Sequence, residues 1–290
     1  MIEWPEELVS DIARRRSAIF IGAGVSMNSA NDRGERPMDW IAFIEHLIGK
    51  ISDEIAKTAV NKCMEEGDLL TACEVAKNAL HAENFKRILL TEFVERRFQA
   101  APIHRDIVEI DSRIVLTSNF DKIYDTAANS ILSGDVLVKS YRDNDIADII
   151  RRPNRCIIKV HGSIDTPEDA IITRSDYAMM RNKYASFYRL LDALFLTHTF
   201  LFLGCSMNDP DLRLLLEDYS RRFGKAKPHY VVTPSDRISA PVVKVLETNM
   251  NLRILTYSAD DNHAELTLSI GALRGLVNQA RATLLETMNW

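Results

Sequence analysis

The chain has 290 residues, 46% of them hydrophobic and 27% charged, with a formal net charge of −5 at pH 7. That balance provides apolar mass for a sizeable core and argues against broad electrostatic binding to DNA or RNA. No apolar run approaches the ~20 residues a membrane-spanning helix requires, and the four dispersed cysteines, Cys63, Cys73, Cys156 and Cys205, form neither a zinc ribbon nor a disulfide framework.

The chain starts MIEWPEELVS, without a secretory leader, so a reducing, cytoplasmic setting is expected. Pro5 to Arg16 reads as a short amphipathic helix with Leu8, Val9, Ile12 and Ala13 on one face. It leads into a buried strand, Ala18–Ile21, and a tight turn, Gly22-Ala23-Gly24, followed by Ser26. A glycine turn directly after an early strand is how an open α/β sheet begins a nucleotide site. No Gly-Lys-Ser/Thr follows, so this is not a P-loop, and Met27 breaks the longer dinucleotide fingerprint.

Residues 28–39 are polar and irregular, a loop length that is usually functional or mobile. Asp39 then caps a helix through Trp40, Ile44 and Ile48. From Asp53 to Gln99 the sequence is Ala-, Glu-, Lys- and Leu-rich and lacks proline. It predicts three helices, 53–66, 68–81 and 82–98, with Gly67 as a break, and it carries no visible chemistry. This block reads as an inserted helical module, about 40–103. Pro102 and His104 begin a short helix that leads back to the sheet.

Arg113–Thr117 is the next buried strand, ending in Ser118-Asn119-Phe120-Asp121, and a helix follows over 122–130. Val136–Lys139 is a short strand, and Asp143–Ile150 a helix or turn. Cys156–Val160 is a buried strand ending in His161-Gly162-Ser163, and Ile171–Thr173 a further short strand. Residues 175–197 form one long helical stretch whose aromatic residues, among them Tyr177 and Tyr188, read as core. Thr199–Leu203 ends in Gly204-Cys205-Ser206, and Asn208-Asp209-Pro210 opens another helix. His229–Thr233 and Leu252–Tyr257 complete a set of six apolar strands, and residues 263–288 form a terminal amphipathic helix.

The expected architecture is therefore α/β, a Rossmann-like parallel sheet of about six strands flanked by helices. A single domain spans 1–290, its core at about 1–30, 104–174 and 198–290, with a second helical segment at about 175–197. In such a sheet, ligands bind beyond the carboxyl ends of the strands. Four strand ends here carry small or polar residues. Each has a plain structural alternative: Asn119 shaping a turn, Asp121 capping a helix, His161 structural, Gly204-Cys205-Ser206 a tight turn. Packing alone does not account for the coincidence of all four. The seven histidines are scattered without metal-ligand spacing.

GAGVS, TSNFD, KVHGS and LGCSMNDPD, in this order, resemble the four motifs of sirtuin-like NAD-dependent proteins. The resemblance spans roughly Ala18 to Asp211 and is closest to the sirtuin-like domains of bacterial anti-phage defence systems. Two departures separate the chain from sirtuin deacylases. The four-cysteine zinc ribbon is absent, and Gly34-Glu-Arg-Pro-Met-Asp-Trp40 replaces the segment that follows the first glycines in deacylases.

The resemblance implies an NAD⁺ hydrolase, with NAD⁺ as substrate and no metal, that depletes the dinucleotide when triggered. An NAD-dependent deacylase or ADP-ribosyltransferase, and an NAD- or ADP-ribose-binding scaffold subunit, are the alternatives. It also implies roles. Gly22, Ala23, Gly24 and Ser26 would hold the pyrophosphate and adjacent ribose. Asn119 would orient the nicotinamide ribose or the attacking water, and Asp121 the carboxamide. His161 would be the general base, and Gly204, Ser206 and Asn208 would contact the adenosine side, with Trp40 as a candidate wall of the nicotinamide pocket. A homo-oligomer and a separately encoded partner of the HerA-type hexameric ATPase kind are the implied assembly.

Overall fold

The computed structural model describes residues 1–287. Seven strands form one all-parallel sheet: β1 (Ser17–Ile21), β2 (Ile114–Thr117), β3 (Leu137–Ser140), β4 (Cys156–Lys159), β5 (Thr199–Leu203), β6 (His229–Pro234) and β7 (Leu252–Tyr257). Their order is β3-β4-β2-β1-β5-β6-β7. The central strands read as unbroken apolar runs because helices cover both faces of a parallel sheet; all five residues of β1 and all four of β2 are buried.

The seven strands are one more than the six expected. The additional member is the short Val136–Lys139 stretch, which pairs with β4 as the edge strand β3. Its Leu137 and Val138 are exposed, so it lacks the buried apolar signature of the others. Ile171–Thr173, by contrast, is not a strand; Ile171 N–H donates to His161 O at 2.9 Å and ties this segment to the turn after β4.

Side-chain alternation along the strands divides the core between the two faces. Ile19, Ile21, Val115, Ile157, Leu201 and Leu203 pack beneath the helices Glu6–Ala13, Pro102–Glu109 and Asp260–Thr287. Phe20, Leu116, Ile158, Phe200 and Phe202 face the helices Arg174–Lys183, Ala185–Thr197 and Pro210–Phe223. The expected single helix over 175–197 is thus two, broken at Tyr184. A helix at Ala240–Met250, absent from the sequence reading, links β6 to β7. The last helix begins with left-handed residues at Asp261, Asn262 and His263. Its expected end at Met288 lies outside the described residues.

Residues 40–95 form helices with a third apolar cluster of their own, built on Phe43, Leu47, Ala76, Phe85 and Leu89. Asp39, Asp53 and Asp68 cap three of these helices, each accepting a backbone N–H. The cluster takes in Ile164 and Ile172 from the segment after β4, and Phe93 meets the Phe120 ring edge-on at 4.7 Å. This module therefore packs on the two turns that carry Asn119 and His161.

Candidate active site

The chain reverses its direction of progress across the sheet at β1, which has β2 on one side and β5 on the other. This is a topological switch point, where open α/β sheets form their ligand crevice. The two glycine turns that end β1 and β5 interlock there. Gly22 N–H donates to Leu203 O and Gly24 N–H to Gly204 O, both at 2.9 Å. A Cβ on Gly22 would stand 2.4 Å from Gly204 O, and one on Gly204 would stand 2.5 Å from Val25 N. Gly204 also adopts φ +62°, a left-handed conformation that favours glycine. Backbone-to-backbone packing is thus the direct reason for both glycines, and two N–H groups of the first turn are committed to it.

Against this floor lies a cluster of three polar side chains. Asn119 Nδ2 donates to Gly22 O and to Ser26 Oγ, both at 2.9 Å. Ser26 Oγ in turn donates to Asp121 Oδ2 at 2.8 Å, and Asp121 Oδ1 accepts Ile123 N–H at 2.9 Å. The N-cap residue of the helix Ile123–Ile131 is Lys122, so Asp121 sits one residue before the cap; it accepts the first helical N–H and holds Ser26 as well. Ser26 and Asp121 are buried, whereas Asn119 is only half-buried. Thr117 Oγ1, at the end of β2, bonds Ile21 O and accepts Asn119 N–H, which locks the turn to β1.

Beneath the turn sits Lys159, the last residue of β4, 1% exposed. Its Nζ donates to Asp121 O at 2.6 Å and pairs with Asp125 Oδ2 at 2.8 Å. Burial raises the Asp125 carboxyl pKa, and the Lys159 charge opposes that shift. A buried ammonium needs such a partner set, so the ion pair fixes the Asn119–Asp121 backbone from below.

His161, two residues beyond β4, forms a second cluster on the Phe20–Leu116 face. Its Nε2 lies 3.5 Å from Asp209 Oδ2, and the same carboxylate oxygen accepts the Tyr177 hydroxyl at 2.6 Å. The His161 and Tyr177 rings meet edge-on at 5.2 Å. Asp209 Oδ1 accepts Asp211 N–H at 3.1 Å and Leu212 N–H at 2.8 Å, capping the helix Pro210–Phe223. Burial, followed by the Asp209 charge, pushes the Tyr177 phenol well above its ordinary pKa, so it stays a proton donor. Behind this group Asp211 bonds the Tyr188 hydroxyl and pairs with Arg181 at 3.1 Å. A cavity of about 30 Å³ lies between the two acids and the sheet, lined by Phe20, Leu116, Val160, His161 and Leu191.

The structure thus joins Gly22, Gly24 and Gly204 in one floor and Ser26, Asn119 and Asp121 in one hydrogen-bonded cluster. His161 stands in a neighbouring cluster at the end of the next strand. Ala23, Ser206 and Asn208 are exposed at the same edge, Asn208 N–H donating to Ser206 Oγ at 3.3 Å. Trp40 packs on Phe43 of the helical module, ring centroids 6.2 Å apart. Sequence reasoning missed Tyr177 and Asp209 as site groups, reading the one as core and the other as a helix cap. The signal available was Asp209 within the quoted motif itself. Among the described residues no three or more His, Cys, Asp or Glu side chains are grouped to hold a metal.

The SIR2-like domain family matches residues 113–255, from the start of β2 into β7. That span contains Asn119, Asp121, His161 and the Gly204–Asn208 turn. Among curated proteins, the chain is 25% identical over 228 residues to NAD(+) hydrolase ThsA of Acinetobacter baumannii (strain 532279), covering 78% of this chain and 44% of that protein. It is 28% identical over 225 residues to NAD(+) hydrolase ThsA of Enterococcus faecium, covering 76% and 44%. It is 24% identical over 261 residues to Defense-associated sirtuin 2 of Bacillus subtilis, covering 88% and 24%. The chain spans less than half the length of these relatives. Residues 113–255 are thus similar to the SIR2-like domain family, and the four motifs, the first of them at Gly22–Ser26 outside that span, gather at the carboxyl edge of one parallel sheet.

Proposed function

We propose that the protein hydrolyses NAD⁺ to nicotinamide and ADP-ribose as an effector of anti-phage defence. One observation carries the reading: Ser26, Asn119 and Asp121, from the turns after β1 and β2, share one hydrogen-bonded cluster at the switch point of the sheet. The relatives named as NAD(+) hydrolases support it. The dinucleotide would lie across the Gly22–Ser26 and Gly204–Asn208 turns, its nicotinamide ribose toward Asn119 and its carboxamide toward Asp121.

NAD⁺ already carries a good leaving group, a cationic nicotinamide on an anomeric carbon. When the C1′–N bond breaks, its electron pair neutralises the pyridinium nitrogen, so little acid catalysis is needed there. The ribose passes through an oxocarbenium-like state. Water then forms the new C1′–O bond and gives up one proton, which His161 accepts. Asn119, with an amide already aimed by Gly22 O and Ser26 Oγ, would orient the ribose or that water. A general base accepts that proton through a ring nitrogen whose lone pair is free.

A cytoplasmic homo-oligomer controlled by a separately encoded partner, such as a HerA-type ATPase, completes the proposal. An ungated enzyme of this activity would exhaust its host's NAD⁺, with the loss of an infected cell as the physiological outcome. The test is product analysis after incubation with NAD⁺ alone, then with an acyl-lysine peptide or a protein acceptor. Nicotinamide and free ADP-ribose in a one-to-one ratio without acceptor support hydrolysis. Turnover only with an acceptor would replace it with the deacylase or ADP-ribosyltransferase reading. Binding without turnover would leave a scaffold subunit.

A further inference from the structure

We propose that Asp209, held by the Tyr177 hydroxyl, is a positioning residue that fixes the tautomer of His161, with the proton on Nε2 and the lone pair of Nδ1 free for the reaction. The inference rests on the reading of His161 as the base in NAD⁺ hydrolysis, and it names the atom that does the work.

Four contacts around Asp209 lead to it. The Oδ1 atom accepts two backbone N–H groups at the head of the helix Pro210–Phe223 and cannot turn away without uncapping it. The Oδ2 atom is thereby aimed at His161 Nε2, 3.5 Å distant, and accepts the Tyr177 hydroxyl at 2.6 Å. An ionised carboxylate accepts hydrogen bonds and donates none, so the ring nitrogen facing it must carry the hydrogen. His161 Nδ1 has no hydrogen-bond partner among the described residues. The contact is longer than a full hydrogen bond, as bonds in resting active sites often are before a substrate draws them together.

Charge points the same way. Of the two neighbouring acids, Asp211 is paired with Arg181. Asp209 has no Lys or Arg partner among the described residues; its ion-pair partner is His161. As water yields a proton to Nδ1, the imidazolium that forms gains the Asp209 carboxylate as counter-ion within a half-buried setting. Tyr177 keeps that carboxylate in place and cannot itself neutralise it, since its phenol remains protonated.

Asp209→Asn separates this role from structural support. The amide oxygen must stay on the helix cap, which places the NH₂ group where Oδ2 was. His161 Nε2 then faces a donor and must become an acceptor, so the proton moves to Nδ1. The experiment records the ring ¹⁵N shifts of ¹⁵N-histidine-labelled protein near neutral pH, with the His161 signals identified by their loss in His161→Gln. NAD⁺ hydrolysis is measured on the same samples. The expected result is an Nε2–H tautomer in the wild type and an Nδ1–H tautomer in Asp209→Asn, with kcat lowered by at least about 100-fold and KM nearly unchanged. Tyr177→Phe, which leaves the carboxylate and its helix-cap bonds in place, should keep the Nε2–H tautomer, with kcat between those of the wild type and Asp209→Asn. A wild-type Nδ1–H tautomer, or an Asp209→Asn spectrum identical to the wild type, would overturn the inference. If the wild type hydrolyses no NAD⁺ yet its tautomer inverts in Asp209→Asn, the positioning role stands and the hydrolase reading falls.

Discussion

His161 Nε2 and Asp209 Oδ2 lie 3.5 Å apart although their strands, β4 and β5, are separated in the sheet by β2 and β1. The contact crosses the carboxyl ends of the two central strands, above Phe20 and Leu116, which line the small cavity beneath it. The polar ends of four strands are thus linked by two sets of contacts. One runs from Ser26 through Asn119 and Asp121, and the other from His161 through Asp209 to Tyr177.

The glycine floor gives the first prediction. Gly204→Ala places a Cβ 2.5 Å from Val25 N at a left-handed φ of +62°, with backbone on the other side of the clash. Chemical denaturation should show a loss of about 3 kcal/mol or more, because neither turn can withdraw. Gly34 is the control: its φ is +77°, but a Cβ there meets nothing within 4 Å. Gly34→Ala should cost only about 1 kcal/mol. Equal losses at the two positions would show that conformational strain, and not the interlock, sets the requirement for glycine.

The second concerns the buried ion pair under the Asn119 turn. Lys159→Met leaves Asp125 buried beside an apolar chain, and Asp125 Oδ1 already lacks a hydrogen-bond partner. The single variant should lose about 3 to 5 kcal/mol, whereas Lys159→Met with Asp125→Leu should regain most of it. Urea melts of the wild type, both single variants and the double variant form the required cycle. A double variant no more stable than Lys159→Met would mean that the Nζ contact to Asp121 O matters more than the charge pair.

Two buried histidines outside the reaction predict the response to acid. Burial lowers the pKa of His104 to about 4, with the nearby Asp121 charge opposing, and burial lowers that of His229 to about 4. Both rings bind a proton more readily unfolded than folded. Their contribution is therefore complete above the unfolded value and drains away as pH falls from about 6.5 toward 4, reaching about 2 kcal/mol per ring at pH 5. Asp125 and Asp211, whose carboxyl pKa values burial raises, act with the opposite sign. The informative quantity is thus a difference. Stability lost between pH 7.5 and 5 should be smaller in His229→Gln than in the wild type, and an unchanged loss would refute the assignment.

Much of this was legible in the sequence, for physical reasons. A strand buried on both faces shows as a run such as IVLT or TFLFL, and the glycine or polar residue that ends it marks the sheet's binding edge. Asp39 and Asp209 announced their helices as caps. Less was visible where burial is slight. β3 has exposed Leu137 and Val138, and the helix Ala240–Met250 buries only Met250 and exposes Val242 and Val245, so neither carries a clean periodic signal. Ile171–Thr173 misled in the other direction. Its apolar residues are buried by the helical module and the neighbouring helices, and not by strand pairing. The Tyr177–Asp209–His161 contact could not be read at all. Its members come from three separate segments, and only the folded order of the strands brings them together.

The most direct test of the account is the rate of nicotinamide release from NAD⁺ by the purified wild-type protein, Asn119→Ala and His161→Ala, with folding of each checked by circular dichroism and thermal melting. Asn119 and His161 are both only partly buried, so both variants should keep the fold. The account predicts stoichiometric nicotinamide and ADP-ribose from the wild type, and release reduced by at least about 100-fold in each variant. Wild-type rates in both folded variants would contradict it.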